Sequence, residues 1–218
     1  MIHAYDKVYL EKARTALGRM LDFAVYDLQL DLKELWKQFL DSDVCKRFEQ
    51  GDSSLLAGMS GIEMAYAVIG DASERIQPKP AINRSEEYWL GWALAYYQWN
   101  TGISFREIFD AEDIMKIKAL YSPYHEMDIR HFCDLLDERY LSNRTTKLKQ
   151  YRQRAGLSQS QLAEESGVPL RTIQQYEQRQ KNINMARAEY VIRLAKALYC
   201  EPEELLEKVC MINRSYKI

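Results

Sequence analysis

In the stretch Leu170–Gln178, the polar side chains Arg171, Gln174, Gln175 and Gln178 recur at three-and-four spacing, so a helix places them on one side. Leu170 joins that side, and Thr172, Ile173 and Tyr176 fall on the other. A carboxamide or a guanidinium bonds a flat partner at two points. Glutamine matches adenine N6/N7 and arginine matches guanine O6/N7, and each good pair contributes ~1–3 kcal/mol of discrimination. Ile173 and Tyr176 are expected to anchor the helix on Leu162, Ala163 and Val168, leaving Arg171, Gln174 and Gln175 as base readers. An amide carries no charge, so these glutamines supply selectivity more than salt-dependent affinity. Phosphate contacts are expected on the flanks, at Arg154, Gln159, Gln178, Lys181 and Asn182.

Other chemistry-bearing residues point elsewhere. His125, Glu126, Asp128 and His131 form the best polar cluster, but HExxH-type spacing is missing. They read as charges favouring a helix N-terminus, with incidental histidines and no metal site. Glu86-Glu87, Asp110-Glu112-Asp113 and Asp137-Glu138 read as solvated faces. Cys45, Cys133, Cys200 and Cys210 lack CxxC spacing, and Cys133 among Phe132, Leu135 and Leu136 reads as core. No catalytic constellation and no cofactor motif emerges.

The elements that position these residues read as all-α. Apolar residues recur at helical spacing, strand alternation is scarce, and only 9 glycines and 5 prolines occur in 218 residues. Tyr5 to about Leu28 reads as one amphipathic helix. Asp31 caps a second, Ser42 or Asp43 a third that Gly51 ends, and a fourth follows the Gly58–Gly61 turn. These make an acidic helical domain over residues 1–72, and the proline-bearing stretch 73–85 reads as a linker. A second helical block spans 86–142. It opens with EEYWLGWALAYYQWN, includes DAEDIMKIKALY with Asp110 as its expected cap, and ends in HEMDIRHFCDLLDERYL. Trp89, Trp92, Tyr96 and Trp99 form one stripe there. Tyr88 and Tyr97 widen the apolar arc, so core packing and a surface for a protein partner are both open.

The remaining region, 143–218, differs in charge. The chain carries a net −2, yet from Arg144 onward the balance is +6, against −8 over the preceding 143 residues. Opposite signs in two halves suggest two partners, one a polyanion. Five helices are expected here. The first is KLKQYRQRA, stopped by Gly156, and the second opens on a Ser158–Gln161 capping box. Gly167 supplies the tight turn, and Pro169 starts the recognition helix. Asn184 is the expected cap of MARAEYVIRLAKALY, and Pro202 starts the last helix.

The pattern R-x-x-x-G-L-S-Q-x-x-L-A, G-V, T-I-x-x-Y-E from Arg152 to Glu177 resembles the helix-turn-helix of the Cro and lambda-repressor (XRE-type) family. The resemblance implies a five-helix domain on double-stranded DNA, with phosphate contacts at Gln159 and near Asn182 and base contacts near Leu170, Arg171 and Gln175. It also implies an Arg152–Glu177 ion pair that fixes the angle between helices. Arg179 and Gln180 depart from the family pattern, where many members have a helix-ending glycine, so the recognition helix is expected to run on slightly. A domain of this size reads few base pairs, so a homodimer on a two-fold site is expected.

The segments YLEKARTALGRMLDFAVYDLQLDLKELWKQF and EEYWLGWALAYYQW…HEMDIRHFCDLLDERY are similar to small helical proteins of bacterial toxin–antitoxin loci. That resemblance implies an autoregulating antitoxin that binds a protein toxin, with Tyr88, Trp89, Trp92, Tyr96, Tyr97 and Trp99 as candidate contacts. The alternatives are a plain repressor with a dimerising or ligand-sensing N-terminal domain and, last, a DNA-tethered enzyme. No signal-peptide core and no apolar run near the ~18 residues of a membrane span occurs, so a cytoplasmic protein is expected.

Overall fold

The computed structural model describes residues 3–70, 76–78, 84–142 and 144–207. They form helices and turns, with no strand among them, in two compact units, one within residues 1–140 and one within 141–208. No helix among the described residues is long and apolar enough to cross a membrane.

The first unit begins with a 3-10 turn, Lys7–Tyr9, whose cap Asp6 accepts from the Val8 N–H. It runs into α1 (Leu10–Asp22) and then into a π-wound turn, Phe23–Asp27. The single helix expected over Tyr5–Leu28 is thus one continuous winding with two changes of pitch. Next come α2 (Leu32–Asp41), α3 (Asp43–Glu49), α4 (Ser53–Leu56) and α5 (Gly61–Ile69). Local chemistry explains their starts. Asp31 accepts from the N–H groups of Lys33 and Glu34, Ser42 from Cys45, and Ser60 with Glu63 makes a complete capping box. The stretch expected to be a linker lies largely outside the described residues.

Beyond it, α6 (Glu86–Thr101) is capped by Ser85 and stopped by Gly102 in the left-handed region. α7 (Phe105–Ala111), α8 (Ile114–Lys118), α9 (Tyr121–Tyr124) and α10 (Ile129–Ser142) follow. Asp110 is not the cap expected of it: it lies inside α7. The chain turns extended at Glu112, and Asp113 caps α8 by accepting from the Met115 N–H.

α1 and α6 cross closely because both carry glycine at the contact. A Cβ built on Gly91 would lie 2.6 Å from the Leu17 carbonyl oxygen, and one on Gly18 2.7 Å from the Tyr88 carbonyl oxygen. Packed so, α6 is buried on nearly every side. This corrects the aromatic partner surface at four of its six residues. Tyr88, Trp89, Tyr97 and Trp99 are buried. Trp89 meets Tyr121 and Phe132 edge-on, the Tyr97 hydroxyl donates to Asp137 at 2.8 Å, and Trp99 Nε1 donates to the Tyr5 carbonyl at 2.8 Å. Trp92 and Tyr96 stay half-buried, with the Arg14 guanidinium 3.3 Å from the Trp92 ring centre.

Two of the acidic residues read as solvated are also buried. Glu87 is held by Lys118 at 2.5 Å, and Asp137 accepts from Tyr97. A carboxylate buried with a cation or hydroxyl partner avoids the desolvation cost that makes unpaired burial rare. Cys133 is core, as expected.

The second unit comprises α11 (Lys147–Arg154), α12 (Gln159–Ser166), α13 (Leu170–Glu177) and α14 (Ala188–Ala197), with 3-10 turns at Ile183–Met185 and Pro202–Leu205. Four α-helices and a closing 3-10 turn therefore stand where five helices were expected. Leu148, Leu162, Val168, Ile173, Tyr176, Ile183, Leu194 and Leu205 make its core. Asn184 does not cap α14, which starts after Arg187. Its amide instead clamps the backbone of Glu207, donating to the carbonyl at 2.8 Å and accepting from the N–H at 2.9 Å.

Candidate nucleic-acid interface

The turn between α12 and α13 is built from its own residues. The Ser158 hydroxyl accepts from the Gln161 N–H, and the Gln161 side chain accepts from the Ser158 N–H at 2.8 Å, the capping box read from sequence. Gly167 ends α12 with φ +66°, a conformation costly to residues with a Cβ. The Ser166 hydroxyl donates to the Leu162 carbonyl and accepts from the Val168 N–H, so the buried turn leaves these groups satisfied. The Pro169 carbonyl then accepts from the N–H groups of Thr172 and Ile173 in the first turn of α13.

α13 divides as its sequence predicts. Ile173 and Tyr176 are buried in the core, Leu170, Arg171 and Gln178 are exposed, and Gln174 and Gln175 are half-exposed. One side thus presents a guanidinium and three carboxamides to solvent, beside an apolar Leu170. That set can bond base edges and touch a thymine methyl.

Arg152 and Glu177 lock α11 to the end of α13. Arg152 Nε and Nη2 donate to the two Glu177 carboxylate oxygens at 2.6 and 2.9 Å, and Nη1 donates to the Leu157 carbonyl at 2.7 Å. The Glu177 side chain is 2% exposed and that of Arg152 11%. Bonding to Glu177 raises the Arg152 pKa above its usual value. Sequence reasoning missed a third member. Gln159 Nε2 donates to Glu177 at 2.8 Å, which ties the first residue of α12 to the last of α13. That carboxamide keeps one N–H free to donate to an anion, in an orientation the ion pair sets.

The expected extension of the recognition helix does not occur. α13 ends at Glu177, and Arg179 takes φ +55°, the left-handed conformation that favours glycine. A residue with a Cβ pays ~1 kcal/mol or more there. Arg179 offsets this with its side chain, since Nη1 donates to the Arg144 carbonyl at 2.8 Å and Nη2 lies 3.7 Å from Glu207. The Glu207 carboxylate also accepts from the Lys147 N–H at 2.9 Å. Arg179, Asn184 and Glu207 thus tie the two ends of the unit together. The only sequence signal was the non-glycine at position 179.

After this turn Lys181 and Asn182 are exposed, and the Asn182 side chain caps the 3-10 turn by accepting from the Asn184 N–H at 2.9 Å. Gln178 is exposed and accepts from the Gln180 amide at 2.9 Å, and Arg154 is exposed at the end of α11. In the first unit, Asp128 bonds the Arg130 backbone and guanidinium at the start of α10, which holds its carboxyl at about 2, and the His125 ring stacks on Tyr121.

Residues 148–205 match the family model described as Helix-turn-helix, a family of DNA-binding transcription regulators. No curated protein matches the chain, and no solved structure does. Motif, caps, turn and core agree with that match over one continuous span, and the C-terminal third of this chain is an XRE-type helix-turn-helix domain.

Proposed function

We propose that the protein is a sequence-specific regulator that binds an operator through α13, and that its N-terminal unit holds a protein toxin, as an autoregulating antitoxin does. The observation that carries the DNA half is the exposed face of Leu170, Arg171, Gln174 and Gln175, set opposite buried Ile173 and Tyr176. Arg154, Gln159, Gln178, Lys181 and Asn182 flank it as phosphate contacts, and a homodimer supplies two copies for a two-fold site. The acidic balance before Arg144 and the similarity to toxin–antitoxin helical proteins support the partner half. Trp92 and Tyr96 are the aromatic residues of α6 left accessible for it. The reading assigns the chain no catalytic role.

Binding is tested on a duplex selected from a random-sequence pool and on a scrambled version of it. Arg171→Ala and Gln175→Ala are each expected to lose ~1–3 kcal/mol of discrimination between the two duplexes. Lys181→Ala is expected to weaken both alike and to lower the salt slope by about one. Equal losses on both duplexes for all three variants would sink the base-reading assignment. For the partner half, a toxin-like product of a neighbouring gene should co-purify with the full chain. A clean homodimer indifferent to that product would favour a plain repressor.

A further inference from the structure

The loop that follows α13 takes one course, and a strained residue lies on it. Gln178, Gln180, Lys181 and Asn182 are exposed there. The Lys181 N–H donates to the Gln175 carbonyl at 3.1 Å, and the Asn182 side chain accepts from the Asn184 N–H. Between them the chain passes through Arg179 at φ +55°, where glycine would be at ease and a residue with a Cβ is not. Such a conformation persists only when its surroundings hold it.

What holds this one is the far end of the unit. Arg179 Nη1 donates to the Arg144 carbonyl at 2.8 Å. Nε and Nη2 are shut off from water and make no hydrogen bond among the described residues. A cation so enclosed needs an anion close by, and the Glu207 carboxylate, 12% exposed, lies 3.7 Å from Nη2. Glu207 is itself fixed at three points. Its carboxylate accepts from the Lys147 N–H at the start of α11, and its backbone N–H and carbonyl both bond the Asn184 amide. One residue thus braces the loop through its carboxylate at Arg179 and through its backbone at Asn184.

We propose that Glu207 is a positioning residue for DNA binding. It makes no contact with DNA and holds the 178–182 loop, with its phosphate contacts, in the course that the duplex needs. The proposal rests on the DNA reading of α13, and its sign is opposite to what charge alone dictates. Removing a carboxylate from a DNA-binding unit ordinarily tightens binding, because repulsion of the phosphates falls. Here the removal lets the loop leave its course, and apparent affinity falls with the fraction of molecules that keep it.

The test measures binding of four full-length forms: unaltered, Glu207→Gln, Arg179→Gly, and both changes together. Each is titrated on a selected duplex and on its scrambled version at two salt concentrations, well below its dichroism melting transition. Glu207→Gln should weaken both duplexes alike, roughly threefold to tenfold, and lower the salt slope as a lost phosphate contact does. Arg179→Gly relieves the turn by itself, so adding Glu207→Gln to it should change binding by less than about twofold. Tighter binding by Glu207→Gln overturns the proposal, as does an equal loss with and without Arg179→Gly. A second readout needs no DNA. Hydrogen exchange at the Lys181 amide should quicken in Glu207→Gln, and the same change should leave it alone in the Arg179→Gly background. Unchanged exchange in Glu207→Gln overturns the clamp. An unaltered chain that binds neither duplex overturns the DNA reading instead, and exchange then decides the clamp on its own.

Discussion

Glu177→Ala is expected to destabilise the C-terminal unit by ~3–5 kcal/mol, the usual loss when one partner of a buried ion pair is removed. Glu177 accepts two bonds from Arg152 and one from Gln159, and its side chain is almost wholly shielded from water. Alanine leaves the Arg152 guanidinium with little solvent and only the Leu157 carbonyl as a hydrogen-bond acceptor. A domain of this size has ~3–10 kcal/mol of stability in all, so the loss is a large share of it. The measurement separates the two units. All four tryptophans, Trp36, Trp89, Trp92 and Trp99, lie in the first unit, so tryptophan fluorescence reports that unit alone while far-UV circular dichroism reports both. The expected result is an early dichroism transition, lowered by more than ~12 °C, with the fluorescence transition unmoved. Replacing both partners, with Arg152→Met and Glu177→Leu, should cost less than the two single changes summed. Strict additivity would mean that the pair has no coupling and that Gln159 or packing holds α13 in place.

Gly91→Leu is expected to separate α1 from α6 and to lower the fluorescence transition instead. The added Cβ meets backbone, the Leu17 carbonyl and the Gly18 nitrogen, so no side-chain rotation relieves it. Overpacking costs ~1–3 kcal/mol for a few extra methylenes and more when backbone must shift. Gly91→Ala gives the graded control. Its gain in helix propensity is ~1 kcal/mol, against a clash at 2.6 Å. Net destabilisation by alanine, deeper with leucine, is the expected order. Stabilisation by alanine would show that the two helices part easily and that the close crossing contributes little.

Much of the second unit was legible in its residues because the signals there are short-range. A capping box spans three residues, the left-handed Gly167 sits inside its own turn, and the buried and exposed sides of α13 follow from one helical period. The Arg152–Glu177 pair crosses twenty-five positions, and it was foreseen only through the resemblance of the pattern around it.

Where the expectations failed, a distant neighbour overrode a local preference. Tyr88, Trp89, Tyr97 and Trp99 looked like surplus apolar area on one helix. They are core because residues from both ends of the first unit, from Tyr5 to Asp137, close around α6. Arg179 looked like a reason for α13 to continue. It ends the helix because the Arg144 carbonyl and Glu207 hold its side chain in place. Asn184 had the chemistry of a helix cap and was taken by the backbone of Glu207.

The amino-acid sequence alone therefore determined the helical class, most helix starts, the helix-turn-helix and the polar face of α13, since each depends on contacts within a turn or two of chain. The tertiary structure alone decided which aromatics remain accessible, where the recognition helix stops and which residues tie the domain's ends together. Those outcomes turn on which groups far apart in sequence meet, and a side chain's type records what it can bond without recording what will reach it.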